Sequence, residues 1–267
     1  MLRGLFVTGT DTGVGKTVVS AALMHRYRPA LPLRYWKPIQ TGIEQDDDTS
    51  EVERLGRCGV DELKRTGIRL PRSVSPHLAA RLHGTTIAVA PLVESMVRLK
   101  HVLSARPSAF PEATADRRRA KRGGWSTGSA RAVEGPDPTY GNIDEECGTV
   151  RWIVEGAGGV LVPINETETM ADLMSALGLP VLVVARAALG TINHTLLTLE
   201  ALRRRTLHVA GVVMVGDRNA ENRAAIERYG DAAVLGEMPH FSRLDAAQLA
   251  EWAAAELDHE RSLLEWL

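Results

Sequence analysis

Cysteine is scarce in this chain, and an excess of charge of either sign and long apolar runs are missing. Only Cys58 and Cys147 occur in its 267 residues, far apart and outside any C-x-x-C spacing. That excludes a disulfide framework or a cysteine zinc site and fits a reducing, cytoplasmic setting. Lys plus Arg number 32 against 33 Asp plus Glu, so no overall field is available for gripping nucleic acid or an anionic membrane. The longest apolar stretches, such as Val209 to Val215, fall short of the roughly 20 residues that cross a bilayer, and Arg186 interrupts the other candidate. Leu5-Phe6-Val7 ends at once in Thr-Gly-Thr, too short for the core of a secretory signal. Neither a membrane span nor export is expected.

What is present is a chain 44% apolar, whose length divided by about 150 residues gives one large domain or two small ones, with a sizeable core. Short β-rich runs alternate with helical patterns, which predicts an α/β fold: a mostly parallel sheet with helices on both faces. Strands are expected at Leu5–Thr8, Tyr35–Lys37, Trp152–Val154, Val181–Ala185, Ala210–Val215 and Ala233–Leu235. Most are near-continuous apolar runs, as in strands covered on both faces. Helices are expected at Lys16–Tyr27, Met170–Leu177, Thr191–Arg205, Ala220–Tyr229 and Ala246–Leu257. From about Arg106 to Gly148 no apolar period persists while Pro, Gly, Ser and charges accumulate, so that stretch is expected to be mostly unstructured. Its basic run, Arg117 to Arg122, reads as a solvated face.

The strongest local signal is Gly9-Thr10-Asp11-Thr12-Gly13-Val14-Gly15-Lys16-Thr17, between an apolar strand and a helix. Backbone N–H groups and the helix N-terminus would cradle phosphates, Lys16 would reach the outer ones, and the Thr17 hydroxyl suits Mg²⁺. Thr10 to Val14 separate Gly9 from Gly15, one residue more than the strict phosphate-loop pattern. Lys37 stands at a strand end in Lys37-Pro38-Ile39-Gln40-Thr41-Gly42, where ligands gather, although a lysine there is also simply solvated. Glu155 closes an apolar run and precedes Gly156-Ala157-Gly158-Gly159. Buried unpaired it would be costly, a cost that Mg²⁺ or a substrate ammonium removes, with a structural turn as the lesser alternative. Asp46-Asp47-Asp48 precede a helix starting near Thr49-Ser50 and read by default as capping acids. One of them facing the loop would complete an oxygen shell with Thr17 and Glu155. His77 and His194 read as structural, and no serine-protease order or zinc spacing is present.

With these segments in this order the chain resembles the dethiobiotin synthetases. The likeness rests on residues 9 to 17, Lys37 to Gly42, Ser75-Pro76-His77, Val154 to Gly159, and Leu189-Gly190-Thr191-Ile192-Asn193-His194. It implies a single-domain P-loop NTPase fold over residues 1–267, with the 106–148 stretch as an insertion. It also implies ATP- and Mg²⁺-dependent closure of the ureido ring from 7,8-diaminopelargonic acid and CO₂. ATP would then lie on Gly13, Val14, Gly15, Lys16, Thr17, Glu155, Gly156, Gly158 and Pro239. Thr12, Lys37, Thr41 and Gly158 would hold the substrate, Lys37 and Lys16 would be catalytic, and Thr17, Asp48 and Glu155 would hold the metal. Thr191, Ile192 and Asn193 would meet the substrate carboxylate across a homodimer interface. One departure stands out. Many relatives place Asn after the late strand to read adenine, whereas Val212 to Val215 here runs into Gly216-Asp217, which leaves purine selectivity open while ATP stays the expected nucleotide.

Two rival readings share the phosphate loop. A cobyrinate-type amide synthetase would normally carry a glutaminase unit, for which these two cysteines are unsuited. A nucleotide-switched binding ATPase would carry an extra lysine early in the loop, where Thr8, Gly9 and Thr10 stand.

Overall fold

The computed structural model describes residues 2–104 and 150–267, with 97–104 given by backbone alone. The stretch 106–148, its basic run and Cys147 lie outside the described residues.

In chain order the strands are β1 (Gly4–Gly9), β2 (Leu33–Trp36), β3 (Ile39–Thr41), β4 (Leu63–Lys64), β5 (Ile68–Leu70), β6 (Arg151–Gly159), β7 (Val181–Arg186), β8 (Val209–Val215) and β9 (Val234–Met238). The helices are α1 (Lys16–Tyr27), α2 (Asp48–Gly56), α3 (Pro76–Leu82), α4 (Val89–Ser104), α5 (Met170–Leu177), α6 (Thr191–Arg203), α7 (Ala220–Gly230) and α8 (Ala246–Ala255). Seven strands form the main sheet in the order β4-β2-β6-β1-β7-β8-β9, and every pairing is parallel. β1 sits centrally: the chain builds outward to β2 and β4, returns to β6, then builds the other way. Carboxyl ends of parallel strands at such a reversal open a crevice for ligands.

Alternation along β1 shows why the strands read as unbroken apolar runs. Leu5 and Val7 pack on one face with Tyr35, Ile153 and residues of α1, α2 and α8. Phe6 packs on the other with Trp36, Val154 and residues of α4, α5, α6 and α7. Both faces are core, so no position calls for a polar residue.

Several expectations shift. β2 ends at Trp36, leaving Lys37 just past it. β6 does not stop at Val154 but continues through Glu155 and the glycines to Gly159, because Val7 pairs with Glu155 and Gly9 with Gly159 in the neighbouring strand. β9 is Val234–Met238 rather than Ala233–Leu235. α6 stops at Arg203, where Leu207 N–H turns back to the Leu202 carbonyl and Thr206 takes a positive φ. α8 stops at Ala255 rather than Leu257. The small parallel pair β3 and β5, the strand β4 and the helix α4 were not expected.

Candidate active site

The turn from β1 into α1 is the Gly9–Thr17 loop. Gly15 caps α1 with φ 98°, a left-handed conformation open mainly to glycine. At Gly9 a side chain would press on Val14 and on the Lys16 ammonium. Lys16 therefore folds back over the loop, and its Nζ donates to the Asp11 carbonyl at 3.0 Å. Burial, then the neighbouring Lys37 charge, lowers the Lys16 pKa to about 8.

Strand register brings the second half of the site to this loop. β2 pairs with β6 so that Tyr35 faces Ile153 and Trp36 faces Val154. Glu155 then stands one step beyond, beside Lys37, on the sheet face covered by α1. Lys37 Nζ donates to Glu155 Oε1 at 2.7 Å and to the Gly156 carbonyl at 3.2 Å, and it contacts Asp48 Oδ2 at 2.5 Å. An ammonium has three protons, and these three acceptors engage them all. Burial alone would depress Lys37, but the Glu155 and Asp48 carboxylates outweigh it and raise its pKa above the ordinary value. Asp48 behaves conversely: burial pushes it up, yet the Lys37 charge and hydrogen bonds from Lys37 and Thr17 hold it below the usual range.

The three adjacent acids now separate by role. Asp47 is the N-cap of α2, accepting from Thr49 N–H at 3.0 Å and from the Ser50 hydroxyl at 2.8 Å. Asp48 turns inward, and Thr17 Oγ1 lies 3.0 Å from both Asp48 Oδ1 and Glu155 Oε1. One hydroxyl has a single proton and cannot satisfy two carboxylates at once. These separations are close to the roughly 2.9 Å between adjacent oxygens around a magnesium ion with bonds of 2.0–2.1 Å. The donor set therefore fits Mg²⁺. Among the described residues no three His, Cys, Asp or Glu gather into a metal cluster, and one or two carboxylates are the usual protein share for this ion.

Beside the loop a cleft of about 560 Å³ is lined by Thr12, Gly13 and Val14 on one side and by Arg186, Asp217, Arg218, Asn219 and His240 on the other. Arg186 pairs with Asp11 at 2.6 Å across its mouth. Gly158 sits next to Thr12, since a side chain there would come within 3.6 Å of the Thr12 hydroxyl. Pro239 follows β9 directly before the cleft residue His240, while Val215 and Met238 crowd Gly15. A second hollow of about 510 Å³ along β9 is lined largely by charges already paired, Arg223 with Glu227 and Arg218 with Glu256.

Lys16, Thr17, Lys37, Asp48, Glu155 and Gly156 are thus brought together. Among the described residues no hydrogen bond joins Thr41, Thr191, Ile192 or Asn193 to them. Thr41 is half-buried on β3, and Thr191, buried against Thr195, opens α6 at the same rim of the sheet. His77 donates its N–H to the Pro163 carbonyl, and His194 lies exposed on α6. Sequence reasoning missed Tyr35 and Ser20, which donate to Glu155 Oε2 at 2.9 and 3.0 Å. Their signals were faint: Tyr35 is two residues before Lys37 on one strand face, and Ser20 is one helical turn after Thr17. Burial, and then the charge of Glu155, holds the Tyr35 phenol well above its ordinary pKa, so it stays a donor.

Comparison with known proteins gives the following. An AAA domain family model matches residues 3–106 and 134–248. An ATP-dependent dethiobiotin synthetase BioD from Paramagnetospirillum magneticum is 40% identical over 249 residues, 93% of this chain and 94% of that one. The BioD of Rhodopseudomonas palustris is 36% identical over 96% and 95% of the two chains. A biotin biosynthesis bifunctional protein BioCD from Bordetella avium is 37% identical over 94% of this chain and 42% of its own. Among solved structures, a ParA family ATPase from Chlorobium tepidum matches at TM-score 0.47 and 10% identity, covering 99% of this chain and 93% of its own.

Proposed function

This chain belongs to the ATP-dependent dethiobiotin synthetase family, and on that premise we propose that it converts 7,8-diaminopelargonic acid, CO₂ and ATP into dethiobiotin, ADP and phosphate. It is an ATP-dependent ligase of biotin biosynthesis. The observation that carries the finer reading is the contact set of buried Lys37 and Glu155 with half-buried Asp48 and Thr17 beside the Gly9–Thr17 loop.

In this reading one substrate amine adds to CO₂ and loses a proton, giving a carbamate. A carbamate oxygen attacks the γ-phosphorus, the bond to the β-phosphate oxygen breaks, and ADP leaves. The second amine then attacks the carbonyl carbon of the mixed anhydride, phosphate departs and the five-membered ring closes. Positioning and charge neutralisation carry such a transfer, because the moving group is loosely bonded and anionic in the transition state. Lys16, Gly13, Val14 and Gly15 bind the phosphates. Lys37 neutralises the carbamate and the transferred group, giving up its longest bond, the 3.2 Å contact to the Gly156 carbonyl, at least cost to the site. Thr12 and Gly158 border the reacting atoms and Thr41 supports the substrate. Thr17, Asp48 and Glu155 would hold Mg²⁺, which would supply charge neutralisation for the transferred phosphoryl group. Glu155 is 0% and Lys37 3% exposed, so the charges of this pair act where water screens them little.

The chain acts as one synthetase domain in a homodimer, with Thr191, Ile192 and Asn193 of one subunit completing the partner's site. Leu189, fully exposed at the entry to α6, and Leu197, 56% exposed along it, support an apolar face that a second copy covers. Pro239 borders the base. The nearest asparagine beyond β8, Asn219, caps α7 with its side-chain oxygen from Asn222 N–H and lines the cleft beside the loop, and ATP is the nucleotide of this reading. Incubation with the diamine, bicarbonate and γ-labelled ATP tests the reading: phosphate release should require the diamine. Release without diamine would instead mark a nucleotide-driven switch.

A further inference from the structure

Both oxygens of the Glu155 carboxylate are engaged, and the two sets of partners differ in kind. Oε1 meets Thr17 and Lys37, the groups read above as facing cation and phosphate. Oε2 meets only structural elements, the Tyr35 hydroxyl at 2.9 Å and the Ser20 hydroxyl at 3.0 Å. Tyr35 and Ser20 are both 0% exposed. We propose that Tyr35, with Ser20 as its second, is a positioning residue for the divalent-cation site: its phenol O–H clamps Glu155 Oε2 and so aims Oε1 at the space shared with Thr17 and Asp48. The proposal rests on the reading of Glu155 as a cation ligand.

The argument is one of rotational freedom. The last torsion of a glutamate is broad and roughly two-fold, so a carboxylate tied at one oxygen swings readily out of the plane that a metal ligand must keep. Two donors converging on Oε2 from different elements, β2 and α1, fix that plane. Tyr35 is a rigid way to deliver one of them, because its ring is locked in the core among Leu33, Ile153 and the α1 side chains, and its strand register with Ile153 sets the reach to Glu155. Packing requires only the ring. The hydroxyl adds no apolar contact, and burying it is tolerable because Glu155 accepts its proton. Partners of metal ligands at this remove typically change affinity 10- to 100-fold when lost.

The test measures ADP affinity by calorimetry in EDTA and in saturating Mn²⁺, for wild type, Tyr35→Phe, Ser20→Ala and Glu155→Gln. The ratio of the two affinities reports how strongly cation and nucleotide assist each other. Tyr35→Phe should keep its metal-free affinity and lose about tenfold in the ratio, Ser20→Ala should lose less, and Glu155→Gln should lose the ratio altogether. A wild-type ratio in Tyr35→Phe while Glu155→Gln has lost it overturns the positioning role. Equal losses with and without Mn²⁺ overturn it too, since they mark general damage to the fold. Should Tyr35→Phe fail to fold, Ser20→Ala decides on the same two criteria. A full ratio in Glu155→Gln overturns instead the cation-ligand reading beneath the proposal.

Discussion

The two flanks of the Gly9–Thr17 loop are built in opposite ways. On the β2 and β6 flank, Lys37, Glu155, Tyr35 and Ser20 are buried and exchange hydrogen bonds inside the fold. On the β7 and β8 flank, Arg186 and Asp11 pair with about half of each side chain in water, and Arg218 is more exposed still. Charges interact far more strongly where water is excluded, and groups fixed in advance need no rearrangement as charge develops. On the function proposed above, the dry flank is the side suited to phosphoryl transfer through a hydrolysable intermediate. The wet flank can grip the rest of a nucleotide without taking part in the chemistry.

Replacing the central cation of the dry flank should produce the largest effect. Lys37→Gln is expected to slow turnover by roughly 100- to 1,000-fold, or about 2.7–4 kcal/mol of lost charge stabilisation, with little change in ATP affinity. Stability should fall as well, by about 3–5 kcal/mol in denaturant titration, because Glu155 is left as an uncompensated buried charge. Turnover within a few-fold of wild type would erase the distinction between the flanks.

The legibility of the molecule follows the same division by distance along the chain. The phosphate loop is contiguous, so its glycines, Lys16 and Thr17 are readable together. β1, β7 and β8 are readable because burial on both faces leaves apolar runs. Lys37, Asp48 and Glu155 are each visible as residues in a telling context, but their meeting depends on the register of β2 against β6, which no local pattern encodes. The three aspartates show this well: only the backbone entering α2 decides that Asp47 caps the helix and Asp48 faces Thr17. The glycine run after Glu155 suggests a turn, yet pairing with β1 keeps it in the strand. β3 and β5 have three residues each, too few for a period to emerge. α4 carries a plain helical spacing at Val89, Leu92, Val93 and Met96 that attention to strands and motifs alone passes over.

The exposed flank invites a sharper question, whether a second subunit finishes it. If Asn193 serves the partner's site while Lys16 serves its own, a mixture of Asn193→Ala and Lys16→Ala subunits regains function. Random pairing of equal amounts makes half of the dimers mixed, and each mixed dimer holds one intact site of two. About a quarter of wild-type activity should return from two inactive parents, as a two-fold assembly requires. Co-expressed subunits that stay at the parental level would show that each site is made within one chain.

The smallest effect is expected at the mouth of the wet flank. Arg186→Ala removes an exposed ion pair with Asp11, and such pairs contribute about 0–1 kcal/mol to stability, so the unfolding midpoint should scarcely move. What the guanidinium can add is a diffuse attraction for an incoming polyphosphate, which added salt screens over about 10 Å at 0.1 M ionic strength. KM for ATP should therefore rise a few-fold at low salt and converge with wild type at high salt, with kcat unchanged throughout. A tenfold loss of kcat that persists at high salt would mean that Arg186 reaches the transferring phosphoryl group, and the chemistry would then extend across the whole loop rather than stay on its buried side.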